Sequence, residues 1–180
     1  MKLKKDDTAV LVIDYQEKLM PAMHNREAFI ARTRVLLQGL AALDIPVIVS
    51  EQYPKGLGTT VPEIQEVLGV APRLPKTTFS CLDDDAIRAA LDATGCQSIL
   101  ICGSETHICV LQTAIDLRET GKDVMIVEDC VGSRFAHDME IGLRRAEEEG
   151  VRLSTTEAVL FELLGKASGT AFKTISKLIK

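Results

Sequence analysis

The sequence predicts an α/β fold: a three-layer, doubly wound sheet of about six parallel strands in the order 3-2-1-4-5-6, with helices on both faces. Three observations carry this. Strand-like and helix-like segments alternate from one end of the 180 residues to the other. The strand-like segments are continuous apolar runs, the pattern of parallel strands covered on both faces. No repeat, low-complexity stretch or Ser/Gly linker divides the chain, so residues 1–180 read as one domain.

Thr8 to Ile13 is an apolar, β-branched run and reads as the first strand. Arg26 to Leu43 is helical, because Ile30, Val35, Leu36, Leu40 and Leu43 recur near a 3.6-residue period. Pro46 to Val49 is a second strand, followed by a loop rich in Pro, Gly and Thr from Tyr53 to Pro62. Arg73 to Lys76 reads as a short third strand, and Asp83 to Ala93 as a helix with Asp83 or Asp84 as N-cap. Ser98 to Cys102 is a fourth strand ended by Gly103. The helix from Thr106 to Glu119 closes at Gly121, the residue type favoured after helix ends. Asp123 to Val127 makes a fifth strand, Phe135 to Glu149 a helix, Val151 to Ser154 a sixth strand, and Thr156 to Leu164 a further helix. The tail from Thr170 to Lys180 carries Phe172, Ile175, Leu178 and Ile179 beside three lysines and reads as a helix packed on its own domain or on a partner subunit.

Hydrophobic residues at 46% and charged ones at 26% describe a globular chain able to bury a core, which excludes disorder. A net charge of −5 argues against nucleic acid as the main partner, since phosphate binding needs a basic surface. No apolar run approaches the ~18 residues of a membrane span. The stretch from Ala9 to Ile13 is too short for a signal-peptide core, so a cytoplasmic protein is expected. The five cysteines, Cys81, Cys96, Cys102, Cys109 and Cys130, form no C-x-x-C pair and fit neither a zinc ribbon nor a disulfide scaffold. They read as buried thiols of a reducing compartment.

Ligands of a doubly wound sheet bind beyond the carboxyl ends of its strands, where the strand order reverses. Three residues stand at such ends. Asp14 is the first charged residue after strand one; taken alone it also reads as a turn or N-cap aspartate. Lys76 ends strand three, where a lysine is ordinarily just solvated. Cys109 lies in the first turn of the helix after strand four, where unpaired N–H groups and the helix dipole favour a thiolate. Strands one and four are neighbours in the expected order, which places Asp14 and Cys109 across one crevice. Together the three make a nucleophile, a carboxylate to take its proton and a cation to hold both.

Gln16, Tyr53 and Phe79 lie at strand ends or in the loops beyond and are candidates for the pocket wall; packing explains each equally well. Glu105 and His107 could offer polar contacts to a substrate, or cap the helix, or meet a neighbouring subunit. The Asp83-Asp84-Asp85 run lacks the glycine and closing glutamate of a calcium loop and reads as a solvated helix start. Gly56-x-Gly58 lacks the spacing of a dinucleotide fingerprint.

The combination of Asp14-Tyr15-Gln16, Lys76 with Phe79-Ser80, and Glu105-Thr106-His107-Ile108-Cys109-Val110 resembles the isochorismatase-like cysteine hydrolases. Glu51 to Gly58, Leu111 to Ala114 and Leu160 to Leu164 add a resemblance to the isochorismatase domain-containing proteins within that superfamily, and the likeness covers nearly the whole chain. The resemblance implies a catalytic triad of Asp14, Lys76 and Cys109. It implies a non-proline cis peptide at Ser104–Glu105, and an oxyanion hole from the N–H groups of Glu105 and Cys109. It implies a homo-oligomer and a small-molecule substrate cleaved at an amide-like C–N bond through a thioester. The metal-binding Asp-x-His of nicotinamidases is missing: the three histidines are His24, His107 and His137, so neither metal nor other cofactor is expected. Cys109 sets the chain apart from the isochorismatases that lack the cysteine. The competing reading is a non-catalytic or redox-sensing oligomeric module whose Cys109 is merely oxidisable.

Overall fold

The computed structural model describes residues 2–180, and Met1 lies outside them. In chain order the elements are β1 (Thr8–Ile13), α1 (Arg26–Ala41), β2 (Val47–Gln52), α2 (Pro54–Leu57), α3 (Pro62–Leu68), β3 (Arg73–Lys76), α4 (Asp85–Ala93) and β4 (Ser98–Ser104). A π turn (Thr106–Val110) leads into α5 (Leu111–Glu119), followed by β5 (Asp123–Gly132), α6 (Ala136–Glu148), β6 (Arg152–Ser154), α7 (Thr156–Leu164) and α8 (Gly169–Leu178). All six strands pair in parallel in the order β3-β2-β1-β4-β5-β6. The expected doubly wound sheet is the observed one.

Every residue of β1 is buried, and its side chains divide between two cores. Val10 and Val12 point into the layer built by α1, α3, α7 and α8, among Leu36, Leu40, Ile64, Leu160 and Ile175. Ala9, Leu11 and Ile13 point into the layer of α4, α5 and α6, among Ile87, Leu91, Leu117 and Ala146. Burying one such Val, Leu or Ile contributes about 1.5–3 kcal/mol. Both β1 and β4 are buried along their whole length, and the strand order reverses between them.

At the carboxyl end of that pair the two strands come close. Ile13 faces Gly103 in the register, and Gly103 adopts φ +147°. A Cβ on Gly103 would strike the Ile13 carbonyl, so only glycine permits this approach. The β4–β5 register shifts between Ile101 and Gly103, a local irregularity of the kind that re-aims the residues that follow.

Some elements depart from the sequence expectation. β4 continues through Gly103 to Ser104, and β5 runs to Gly132 beyond the expected end at Val127. Asp129 is kept in that strand because its Oδ1 accepts from the Thr156 N–H and hydroxyl, while its Oδ2 meets Arg32 Nε at 2.9 Å. The Tyr53–Pro62 loop contains the short α2, and α3 begins at Pro62, where a missing N–H costs nothing. Of the two N-cap candidates, Asp84 caps α4, accepting from Ala86 and Ile87. The tail helix α8 buries Ile175 in the layer of α1 and α7.

Candidate active site

Asp14, Lys76 and Cys109 converge at the carboxyl edge, although 62 residues separate the first two. The chain turns sharply after β1: Asp14 has φ +53°, a conformation aspartate tolerates better than most residues. Its N–H donates to the Ser50 carbonyl (3.2 Å), and its own carbonyl accepts from the Ser104 hydroxyl (2.7 Å). Its carboxylate is held at both oxygens. Ser50 Oγ donates to Oδ1 at 2.9 Å, and Lys76 Nζ donates to Oδ2 at 2.9 Å. The side chains of Asp14 and Lys76 are wholly buried.

Lys76 ends β3 opposite Gln52 of β2. Its Nζ faces four oxygens: Asp14 Oδ2, Gln52 Oε1 (2.6 Å), and the carbonyls of Thr78 (3.2 Å) and Phe79 (3.3 Å). The Gln52 amide is oriented by its Nε2, which donates to the Thr77 carbonyl at 3.0 Å. Burial alone would lower the pKa of the Lys76 ammonium; the Asp14 carboxylate, with Cys81 and Cys109, outweighs it, and the net direction is up.

Cys109 sits in the π turn, 7% exposed. The Glu105 carbonyl accepts from the N–H groups of Ile108 (3.1 Å) and Val110 (3.2 Å), the residues on either side of it. Such wide turns recur at functional sites. Desolvation, reinforced by the Asp14 charge and only partly offset by Lys76, pushes the Cys109 thiol from 9.0 up to about 12. Burial and the Asp14 charge thus favour the protonated thiol over the resting thiolate that its helix-start position suggested. The correction has a physical cause: removal from water outweighs the helix end and the ammonium.

Cys81 is a second thiol beside the cluster. Its Sγ donates to Ser50 Oγ at 3.6 Å, and burial raises it to about 11. Burial likewise holds Cys102 at about 12 and Cys130 well above its ordinary value, and all five thiols are unpaired.

The other sequence candidates are placed as follows. The Ser104–Glu105 peptide bond is cis. The Glu105 side chain turns toward the β5 side, where Oε1 meets Arg134 Nε at 2.8 Å. His107 Nδ1 lies 3.0 Å from Ser133 Oγ, and its ring stands between Glu105 and Asp138, each at 3.8 Å. Gln16 is fully buried and its amide is committed: Nε2 donates to the carbonyls of Gln52 (2.9 Å) and Gly58 (2.7 Å), and Oε1 accepts from the Gln52 N–H (2.7 Å). It is a strut between two loops rather than an open pocket wall. Tyr53 and Phe79 are 55% and 56% exposed. Tyr53 lines a cleft of about 480 Å³ with Pro54, Pro75, Lys76 and Thr77. Tyr15, between Asp14 and Gln16, anchors this corner from below: its ring stacks on Phe29 with centroids 4.9 Å apart, and its hydroxyl donates to the Cys130 carbonyl at 2.8 Å.

Sequence reasoning missed Ser50 and Gln52, which hold the ion pair, and gave Ser104 only as a cis-peptide residue, not as the donor to the Asp14 carbonyl. Ser50 stands directly after the apolar run Val47–Val49 and begins the polar end of β2. Among the described residues no group of three or more His, Cys, Asp or Glu could hold a metal ion, and no helix is long and apolar enough to cross a membrane.

The comparisons with known proteins agree with this layout. Isochorismatase domain-containing protein 1 of Salmo salar is 40% identical over 173 residues, 96% of this chain and 61% of that protein. The chain thus spans about three fifths of that relative's length. Isochorismatase domain-containing protein 2 of Danio rerio is 39% identical over 99% of this chain and 89% of its own. Among solved structures, the MAR1 ribonuclease of Caenorhabditis elegans is 37% identical with a TM-score of 0.93, covering 99% of this chain and 92% of its own. YcaC of Escherichia coli, an octameric hydrolase of unknown specificity, is 25% identical with a TM-score of 0.94, covering 99% and 89%. YcaC of Pseudomonas aeruginosa, solved with covalent acrylamide, is 25% identical with a TM-score of 0.93, covering 98% and 91%. With the isochorismatase domain matched over residues 8–158, on a sheet whose order reverses beside β1 and β4, the chain belongs to the isochorismatase family and has that family's hydrolase fold.

Proposed function

We propose that this protein is a cysteine hydrolase that cleaves an amide-like C–N bond in a small metabolite through a thioester, with Asp14, Lys76 and Cys109 as its catalytic residues. The observation that carries the reading is the buried Asp14–Lys76 pair, 2.9 Å apart, acting directly on the Cys109 thiol. A paired carboxylate and ammonium sealed from water beside a nucleophile are costly to assemble and are placed where charge must move.

The thiol gives its proton to Asp14 as sulfur bonds to the substrate carbonyl carbon, and the C=O π electrons move onto oxygen. The N–H groups of Glu105 and Cys109 receive that oxyanion; one such donor is worth about 3 kcal/mol. As the carbonyl reforms, the C–N bond breaks and Asp14 returns the proton to the departing nitrogen. Water then attacks the thioester carbon and yields a proton to Asp14, and the C–S bond breaks to release the acid. Asp14 passes its proton to the sulfur, restoring the thiol. Lys76 stays positive throughout and stabilises the anionic form of each partner. Tyr53, which lines the cleft beside Lys76, and the exposed Phe79 are candidate substrate contacts, with His107 of the π turn as a further candidate.

The reading extends to a homo-oligomer of a single-domain protein, supported by the octamer of the E. coli relative. A cytoplasmic setting is supported by the five unpaired thiols, although a relative from Phytophthora sojae is a secreted effector. A small uncharged substrate rather than RNA is favoured by the net charge of −5 and by a cluster whose one ammonium already faces four oxygens, although the C. elegans relative is a ribonuclease.

Intact-protein mass spectrometry after incubation with small amides and esters tests the proposal. A substrate-derived adduct on the Cys109 peptide, absent from Cys109→Ala, is the expected result. Oxidation of Cys109 with no adduct from any compound supports the redox-sensing module instead. Cys109→Ala or Asp14→Asn retaining normal turnover of a compound so found removes that residue's assigned role.

A further inference from the structure

β2 contributes none of the three catalytic residues, yet Ser50 grips Asp14 twice. Its carbonyl accepts the Asp14 N–H at 3.2 Å, and its hydroxyl donates to Asp14 Oδ1 at 2.9 Å. The direction of that second bond is fixed, because a carboxylate only accepts. The remaining capacity of the Ser50 oxygen takes the Cys81 thiol at 3.6 Å. The Cys81 N–H in turn donates to Thr113 Oγ1 at 2.9 Å. Thr113 lies four residues beyond Cys109, on the same face of the continuous helical segment. The path Asp14–Ser50–Cys81–Thr113 therefore returns to the helix that carries the nucleophile. It closes a ring of buried contacts that fixes Asp14 relative to Cys109.

We propose that Ser50, acting with the Lys76 ammonium on the other carboxylate oxygen, is a positioning residue that aims Asp14 at the Cys109 thiol. One donor would leave the carboxylate able to swing about its terminal torsion; two donors on different oxygens lock its plane. Each oxygen keeps a second lone pair, so the lock does not occupy the place where the proton lands. The inference rests on the hydrolase reading above, but its test needs no substrate.

The test is the rate at which iodoacetamide alkylates Cys109 in the full chain, read by peptide mass spectrometry between pH 4 and 9. Sulfur displaces iodide and the thiol proton passes to Asp14, so the rate reports how well the carboxylate serves. The ionisable groups facing Asp14 are Lys76, Cys81 and Cys109, whose own titrations lie above this window. Ser50→Ala is expected to slow alkylation roughly tenfold at neutral pH, the worth of a hydrogen bond to a charged group. Ser50→Thr, which keeps the hydroxyl, is expected to restore the rate. A wild-type rate in Ser50→Ala, with Asp14→Asn slow, overturns the proposal while sparing the hydrolase reading. Equal slowing of Ser50→Ala and Ser50→Thr at every pH marks a packing residue and also overturns it. Wild-type alkylation of Asp14→Asn overturns the triad, and the Ser50 role with it. If Ser50→Ala does not fold, Ser50→Cys, a weaker donor of similar size, is expected to alkylate Cys109 measurably more slowly than wild type; a wild-type rate there overturns the proposal.

Discussion

Whether Cys109 rests as a thiol or as a thiolate can be measured through stability. In the native protein burial and Asp14 hold its thiol at about 12, against 9.0 for an unshielded thiol. Between these values the unfolded chain has lost the proton and the folded chain has kept it, so stability falls as pH rises. The native preference for the neutral form is fully present below pH 9 and is withdrawn above it. Each pH unit in that interval costs about 1.4 kcal/mol for one group, so raising pH from 8 to 10 removes about 1.4 kcal/mol through Cys109 alone. Cys81 and Cys102, at about 11 and 12, add similar losses that a Cys109→Ala protein shares. The perturbation is therefore a comparison: urea unfolding of wild type and Cys109→Ala at pH 8 and pH 10. The alanine protein should lose about 1.4 kcal/mol less over that interval. Equal losses would mean that the native thiol titrates near 9.0 like an unshielded one, and a loss larger by about 1.4 kcal/mol in Cys109→Ala than in wild type would mean that the native thiol is already ionised at pH 8. The proton transfer to Asp14 would then have nothing to carry, and the mechanism would have to start from a preformed ion pair.

Other expectations follow from the same geometry. Lys76→Met leaves the Asp14 carboxylate buried without its cation and should cost about 3–5 kcal/mol in urea unfolding; a smaller loss in the Lys76→Met/Asp14→Asn double variant would confirm that the unpaired charge is the cause. Gly103→Ala should destabilise by about 1–3 kcal/mol or more, since the new Cβ meets the Ile13 carbonyl at positive φ, and it should also slow Cys109 alkylation by parting β1 from β4. Tyr15→Phe removes a hydroxyl that bonds Cys130 and Thr33, each at 2.8 Å, and should lower stability by about 1–3 kcal/mol with the Cys109 alkylation rate unchanged.

Much of this protein was legible before its coordinates. Thr8–Ile13, Arg73–Lys76 and Thr156–Leu164 have their expected bounds, because continuous apolar runs and capping chemistry are local signals. The far half of β5 was hidden by Glu128 and Asp129, whose charges argue against a buried strand until Arg32 and Thr156 are seen to satisfy Asp129. The positions of Asp14, Lys76 and Cys109 could be read from strand ends alone; the state of the thiol could not. Dipole and charge pattern are visible in a sequence, whereas the water stripped from a sulfur is a property of everything packed around it. Ser50 was hidden for a related reason: a small polar residue just past the apolar run Val47–Val49 acquires meaning only when its partner, 36 residues away, arrives.

The Lys76 ammonium has three hydrogens to divide among four oxygens, and none is spare. The floor of the crevice is thus electrically self-contained. A visitor bearing its own carboxylate or phosphate gains no handhold from that cation and sits against the field of Asp14. On the proposed hydrolase reading, an uncharged carbonyl compound would therefore reach the sulfur at lower cost.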